Sequence, residues 1–202
     1  MPVVKEREYR TLITPLAAAR SQTSQRINTE QYVEGYAATF DTPYIIYEDW
    51  DGNKYYETIA RGALDKTDMS DVIMQYNHEG KVLARNSNGT LGVEIDGKGL
   101  FVFADLSKSR AAKDMYEEIS AQLINKMSWA FTVTVDSYDK KTRTRTIMEV
   151  KKMYDVSAVS YPANTDTDIS ARSWINGVIE AEKREALARR KKIIQLKLKL
   201  EV

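Results

Sequence analysis

Short runs rich in β-forming residues, some of them alternating apolar and polar positions with a period of two, recur between turn-rich segments along most of the chain, and each predicts a β-strand. Residues 9–19 (YRTLITPLAAA) read as a first strand that frays at Pro15, and the polar stretch 20–30 (RSQTSQRINTE) reads as a loop. In QYVEGYAATF (31–40), Tyr32, Glu34 and Tyr36 alternate with Val33, Gly35 and Ala37, a strand with Gly35 as candidate bulge. Two short strands around an Asp-Gly-Asn turn are expected over 44–60, and a short helix over 61–71. A strand over 72–77 should deliver His78 at its end. The turns NSNGT (86–90) and DGKG (96–99) bracket LGVEI and precede LFVFADL, which predicts a hairpin or meander.

The period then changes. SRAAKDMYEEISAQLIN (109–125) brings Ala112, Met115, Ile119, Gln122 and Leu123 near one helical face. Ser109 suits its N-cap, and Asn125 suits a left-handed residue at its end. A strand is expected at 126–138, with Phe131, Val133 and Val135 on one face. Residues 139–162 read as a turn and two further strands, and the alternation of Thr and Arg within them predicts an exposed edge. ANTDTDISAR (163–172) reads as a polar linker and 173–192 as a helix. The last ten residues alternate Leu and Lys, which fits a strand or a helix. About eight to ten short strands with one internal helix predict a mainly β fold with helices, a barrel or a sandwich.

Composition narrows the chemistry. A chain of 202 residues, 43% hydrophobic and 29% charged, suits one domain with a core and an appendage. A net charge of +1 supplies no field to attract nucleic acid or a membrane. With no cysteine there is no disulfide, no thiolate nucleophile and no Cys-based zinc site. A single histidine removes any multi-histidine metal site within one chain. No apolar run approaches the ~20 residues of a membrane span. The charges in MPVVKEREYR stand where a signal peptide would be apolar, so a cytosolic protein is expected.

Three positions carry candidate chemistry. His78, the lone histidine, lies at a strand end beside a polar turn, where an imidazole can still exchange protons near neutral pH. Ser128 begins an apolar strand in INKMSWAFTV, a setting that would fix the direction of a nucleophile. Asp155, between Tyr154 and Val156, is a carboxylate in an apolar strand and needs a partner. It could orient a histidine, or it could pair with one of many Lys and Arg residues. The plainer reading of each is a hydrogen-bonded histidine, a solvent-facing serine and an ordinary ion pair. Lys126, two residues before Ser128 and on the same strand face, keeps a Ser-Lys dyad open.

The segments VEGYAATF, YETIARGALD, NHEGKVLAR, GLFVFADL, KMSWAFTV and YDVSAVSYPANTDTDI, in that order through residues 32–170, resemble the HK97-type prohead (capsid maturation) proteases of tailed bacteriophages. The resemblance rests on Asn77-His78, on Met127-Ser128-Trp129, and on Val156 to Asn164. It implies a serine endopeptidase with a fold similar to the herpesvirus assemblins, a closed β-barrel wrapped by helices. His78 would be general base, Ser128 nucleophile, and Asp155 the third member. Ala130 stands where family members often have Gly, and Leu83-Ala84-Arg85 where they often have Leu-Gly-Arg. The barrel would span 1–170 and a basic helical tail 171–202.

From Ser173 onward eight Lys and Arg face four Glu, about +4, which suits a solvated helix packed on the barrel. The family resemblance adds a second reading, a removable segment that docks the enzyme in the shell. The implied partners are the major capsid protein and scaffold segments as substrates, the chain itself by autocleavage, and a second copy in a homodimer. No cofactor, membrane or nucleic acid is implied. The expected location is the host cytoplasm, inside the assembling prohead. The competing class is a non-catalytic β-barrel module for capsid assembly.

Overall fold

The computed structural model describes residues 7–18, 25–160 and 169–200. Nine strands come first: β1 (Glu8–Pro15), β2 (Ala17–Ala18), β3 (Tyr32–Thr39), β4 (Tyr44–Glu48), β5 (Lys54–Ile59), β6 (Ile73–Tyr76), β7 (Glu79–Arg85), β8 (Leu91–Ile95) and β9 (Gly99–Asp105). Helix α1 (Arg110–Ser120), β10 (Lys126–Asp139), β11 (Thr144–Val159) and helix α2 (Ile169–Leu200) follow. The fold is therefore mostly β with two helices, an α+β arrangement.

Two sheets share these strands. The larger runs β1-β10-β11-β5-β4, with β6 also on β11 and β7 on β6; the smaller runs β2-β3-β9-β8. Among the described strands neither sheet closes on itself, so these pairings do not form the closed barrel that the resemblance implies. One apolar core holds Met127, Trp129 and Phe131 of β10, Val156 and Ala158 of β11, Val102 and Ala104 of β9, and the buried stripe of α1, Ala112, Met115 and Ile119. Ser109 caps α1, its side chain accepting from the Ala112 N–H, as expected.

The β10–β11 hairpin is the spine of the larger sheet. Its register runs from Lys126 opposite Val159 to Asp139 opposite Thr144, with four irregularities that bend the two long strands. These shifts break strict alternation, so Phe131 and Val133 are buried while Val135 is exposed. Residues 144–159 form one strand rather than two. β10 lines one side of β11 along its length, and on the other side β5 pairs with residues 144–147 and β6 with residues 155–158, both parallel. The Thr-Arg alternation therefore lies inside the sheet and not at an edge. Arg145 is fully buried, and three carboxylates, Glu8, Glu57 and Asp136, satisfy its guanidinium.

Other local expectations shift. Residues 61–66 form turns rather than a helix. The irregularity in β3 falls between Tyr36 and Ala38, while Gly35 pairs regularly with Val102. Gln122, not Asn125, takes the positive φ after α1, which leaves Gln122 and Leu123 exposed. Residues 25–30 are irregular as expected, and 20–24 lie outside the described residues. Of the expected linker, 163–168 lie outside them too, and 169–172 belong to α2. The Leu-Lys alternation is helical through residue 200. At its start α2 buries Trp174, Ile175 and Val178 with Ile46 and Tyr55, whereas every side chain from Lys183 to Leu196 is exposed.

The smaller sheet depends on close backbone approach at Gly99. A Cβ built there would meet the Ala38 carbonyl oxygen at 2.0 Å. Because backbone must move, Gly99→Ala is expected to lower stability by about 1–3 kcal/mol, the range for overpacked sites. Urea denaturation at neutral pH checks this, with Gly97→Ala, which meets nothing within 4 Å, as the comparison.

Candidate active site

Ser128 is the third residue of β10, an interior strand paired with β1 through Thr11 and with β11 through Ser157. Alternation sends its neighbours Met127 and Trp129 into the core and turns Ser128 to the opposite face. Ladder hydrogen bonds on both sides hold that direction. On the same face Ser157 stands opposite Ser128, and Asp155 opposite Ala130. Ser128 is only 1% exposed and Asp155 2%.

His78 reaches this face by way of a tight turn. β6 runs parallel to β11 along the edge away from β10, from Ile73 beside Asp155 to Tyr76 beside Ala158. Tyr76 also pairs with Glu79 of β7, which leaves Asn77 and His78 as a two-residue hairpin loop. Both have positive φ, +47° and +63°, as primed hairpin turns require. Asparagine accepts that conformation readily, but at the second position glycine is the usual residue, and a β-carbon there is strained. Such strain persists where surrounding contacts over-determine it. The Asn77 N–H donates to the Ala158 carbonyl at 3.1 Å, and the His78 N–H to Ser157 Oγ at 3.0 Å.

The imidazole then bridges β11 to β10. Nδ1 lies 2.5 Å from Asp155 Oδ1 and Nε2 lies 2.7 Å from Ser128 Oγ. The Tyr9 ring meets the imidazole edge-on, with centroids 4.7 Å apart. A carboxylate only accepts, so Nδ1 carries the proton and Nε2 turns its lone pair to Ser128. The serine hydroxyl has one proton and two acceptors in reach, Nε2 and the Arg10 carbonyl at 3.1 Å. A hydroxyl, an imidazole and a carboxylate stand here in hydrogen-bonded series, an arrangement that can transfer a proton from oxygen to nitrogen.

All three expected residues thus come together. The hydrogen bonds described for Ser128 Oγ run to His78 and Arg10, while Lys126 opens β10 two residues earlier. Sequence reasoning missed the part played by Ser157. Its spacing from Asp155 held the clue, since residues i and i+2 of a strand share a face. The surroundings of Arg10 were missed as well. Its carbonyl accepts from Ser128, and its guanidinium bonds Glu57 Oε1 and Glu8 Oε2, both at 2.6 Å. Arg145 shares those two carboxylates at 3.0 and 2.6 Å. Burial pushes the Glu57 carboxyl up, but Arg10 and Arg145 outweigh it and hold the group at about 2.

The family model for caudovirus prohead serine proteases matches residues 18–179, which include all three site residues. No curated protein and no solved structure matches the chain. Among the described residues no helix is long and apolar enough to cross a membrane.

Proposed function

The chain belongs to the caudovirus prohead serine proteases, and from that premise we propose that it cuts capsid subunits and scaffold segments with His78, Ser128 and Asp155 as its catalytic residues. The observation that carries the assignment is the unbroken series from Ser128 Oγ to His78 Nε2 and from Nδ1 to Asp155 Oδ1. His78 Nε2 takes the Ser128 proton as Oγ attacks the scissile carbonyl. The imidazolium then gives that proton to the departing amide nitrogen, which leaves an acyl-serine. Water attacks the acyl group as its proton passes to Nε2, and the imidazolium returns that proton to Ser128 Oγ as the Oγ–acyl bond breaks and the carboxylic acid product leaves. Asp155 keeps the Nδ1–H tautomer and stabilises the imidazolium; it is not itself protonated.

The setting is the interior of the assembling prohead, in the host cytoplasm. We read residues 1–170 as the protease unit and 171–202 as a tail that the enzyme can trim, and a homodimer as its working form. The cleavable joint expected at 163–172 falls largely outside the described residues. Loss of the whole tail would strip Trp174, Ile175 and Val178 from Ile46 and Tyr55, so trimming within the exposed part, beyond Glu182, disturbs the fold least.

The test is direct. The purified chain is incubated with purified capsid protein, and both are followed by intact mass, with Ser128→Ala in parallel. Discrete capsid fragments from the wild type alone are expected. Capsid protein left whole by both chains, at every ratio and in assembled as well as free form, would overturn the assignment and leave an assembly module.

A further inference from the structure

We propose that Ser157 is a positioning residue whose single hydroxyl aligns both the base and the carboxylate. The proposal rests on reading His78, Ser128 and Asp155 as the catalytic residues. Ser157 Oγ accepts from the His78 backbone N–H at 3.0 Å and donates to Asp155 Oδ1 at 3.0 Å. A hydroxyl has one proton, and here that proton is directed to the carboxylate while a lone pair receives the amide. The side chain is fully buried, so no water competes for either bond.

Each of the two bonds fixes something the reaction needs. The bond from the His78 amide secures a residue held at φ +63°, on a turn where glycine would be relaxed. Without it the turn is free to settle toward a less strained conformation and carry the ring away from Ser128. The bond to Asp155 falls on Oδ1, the same oxygen that accepts from His78 Nδ1. It thereby fixes the rotation of the carboxylate about its side-chain bonds. The backbone supports this placement: Ser157 lies two residues beyond Asp155 on one strand face and directly across from Ser128 on β10. One buried group is thus tied to the base and the carboxylate, and sits in register with the nucleophile.

A tight fit matters because about 1 Å of misplacement can lower a rate about 100-fold. Ser157→Ala removes the hydroxyl and adds no bulk. It is expected to lower kcat about 10- to 100-fold, the range for losing an orienting partner, while KM changes little. Ser157→Thr keeps the hydroxyl and is expected to retain more of the rate. His78 is the only histidine, so 15N-histidine labelling of the full chain gives one imidazole to observe. In the wild type its Nδ1–H, bonded to Asp155, should resonate far downfield and exchange slowly. In Ser157→Ala that resonance should move upfield and broaden.

A role in packing alone would lower the melting temperature and leave the imidazole signal in place. Either an unchanged kcat or an unchanged Nδ1–H resonance in the folded Ser157→Ala chain overturns the proposal. Should that variant fail to fold, Ser157→Cys, close in shape but a weak donor, takes its place with the same two readouts. Loss of cleavage in Ser128→Ala together with full activity in Ser157→Ala would refute this proposal alone. A wild type without cleavage would refute the catalytic reading, and the resonance would still decide whether Ser157 holds His78.

Discussion

His78→Ala and Ser128→Ala are each expected to slow capsid cleavage by about 10⁶-fold, and the double variant is expected to be no slower than either single one. The reason is mechanical. In the proposed mechanism Ser128 Oγ is a weak nucleophile until Nε2, 2.7 Å away, accepts its proton, and the imidazole has no other proton to accept in the acylation step. Removing either partner removes the same event. Two independent contributions would multiply instead, so the double variant discriminates between a concerted pair and two unrelated residues. Asp155→Asn is expected to cost about 10⁴-fold with the fold intact, since the amide is nearly isosteric. Its NH₂ group can donate toward Nδ1, which moves the imidazole proton to Nε2 and leaves the serine with the Arg10 carbonyl as acceptor but no base to take its proton. Time courses of capsid cleavage by intact mass measure all four chains. Retention of more than a tenth of wild-type activity in His78→Ala would remove the histidine from the chemistry.

These residues were legible because each breaks a local rule in the sequence. A lone histidine closes an apolar strand, a serine opens one, and an aspartate sits inside one. What the chain could not reveal was the geometry that relates them. His78 reads as a strand end, but it is the second residue of a two-residue turn, and the strand that follows, β7, was not anticipated. Glu79, Gly80 and Lys81 give it too polar a start to announce a strand. Pairing with β6 stabilises it instead, and that is a tertiary effect. Ser157 was visible only as part of a familiar motif, because a buried serine and an exposed one look alike in sequence. Arg145 misled for the same reason. Thr-Arg alternation is the pattern of a wet edge, and only the convergence of Glu8, Glu57 and Asp136 from three other strands makes it an interior one. Glu8 and Arg145 are far apart in the chain, and no local pattern links them.

That convergence makes Arg145 the residue whose loss should damage the fold most. Its Nη1 bonds Glu8 at 2.6 Å and Glu57 at 3.0 Å, and its Nε bonds Asp136 at 2.6 Å. Arg145→Met fills the space but leaves three buried carboxylates with Arg10, which already bonds two of them. Breaking a buried network by removing one partner costs about 3–5 kcal/mol, far more than the network adds relative to an apolar one. Trp174 of α2, whose ring centroid lies 4.8 Å from the guanidinium carbon, loses its cation at the same time.

The acid response gives the sign. Burial raises the Glu57 carboxyl, but the two guanidiniums hold it at about 2 in the folded chain, below its unfolded value of ~4.3. Ionised Glu57 therefore stabilises the fold fully above pH ~4.3, and that contribution disappears as pH falls toward about 2. With Arg145 gone the burial effect is opposed only by Arg10 and the hydrogen bond from the Tyr44 hydroxyl, so the group should protonate at higher pH and the acid unfolding midpoint should rise. Urea denaturation at pH 7 reads the loss of stability, and a circular-dichroism titration from pH 7 to 2 reads the midpoint. A variant as stable as wild type at pH 7, with the same acid midpoint, would mean that the guanidinium contributes no more than the methionine that replaced it. The Glu8–Arg10–Glu57 cluster would then hold β1 beneath Ser128 without Arg145.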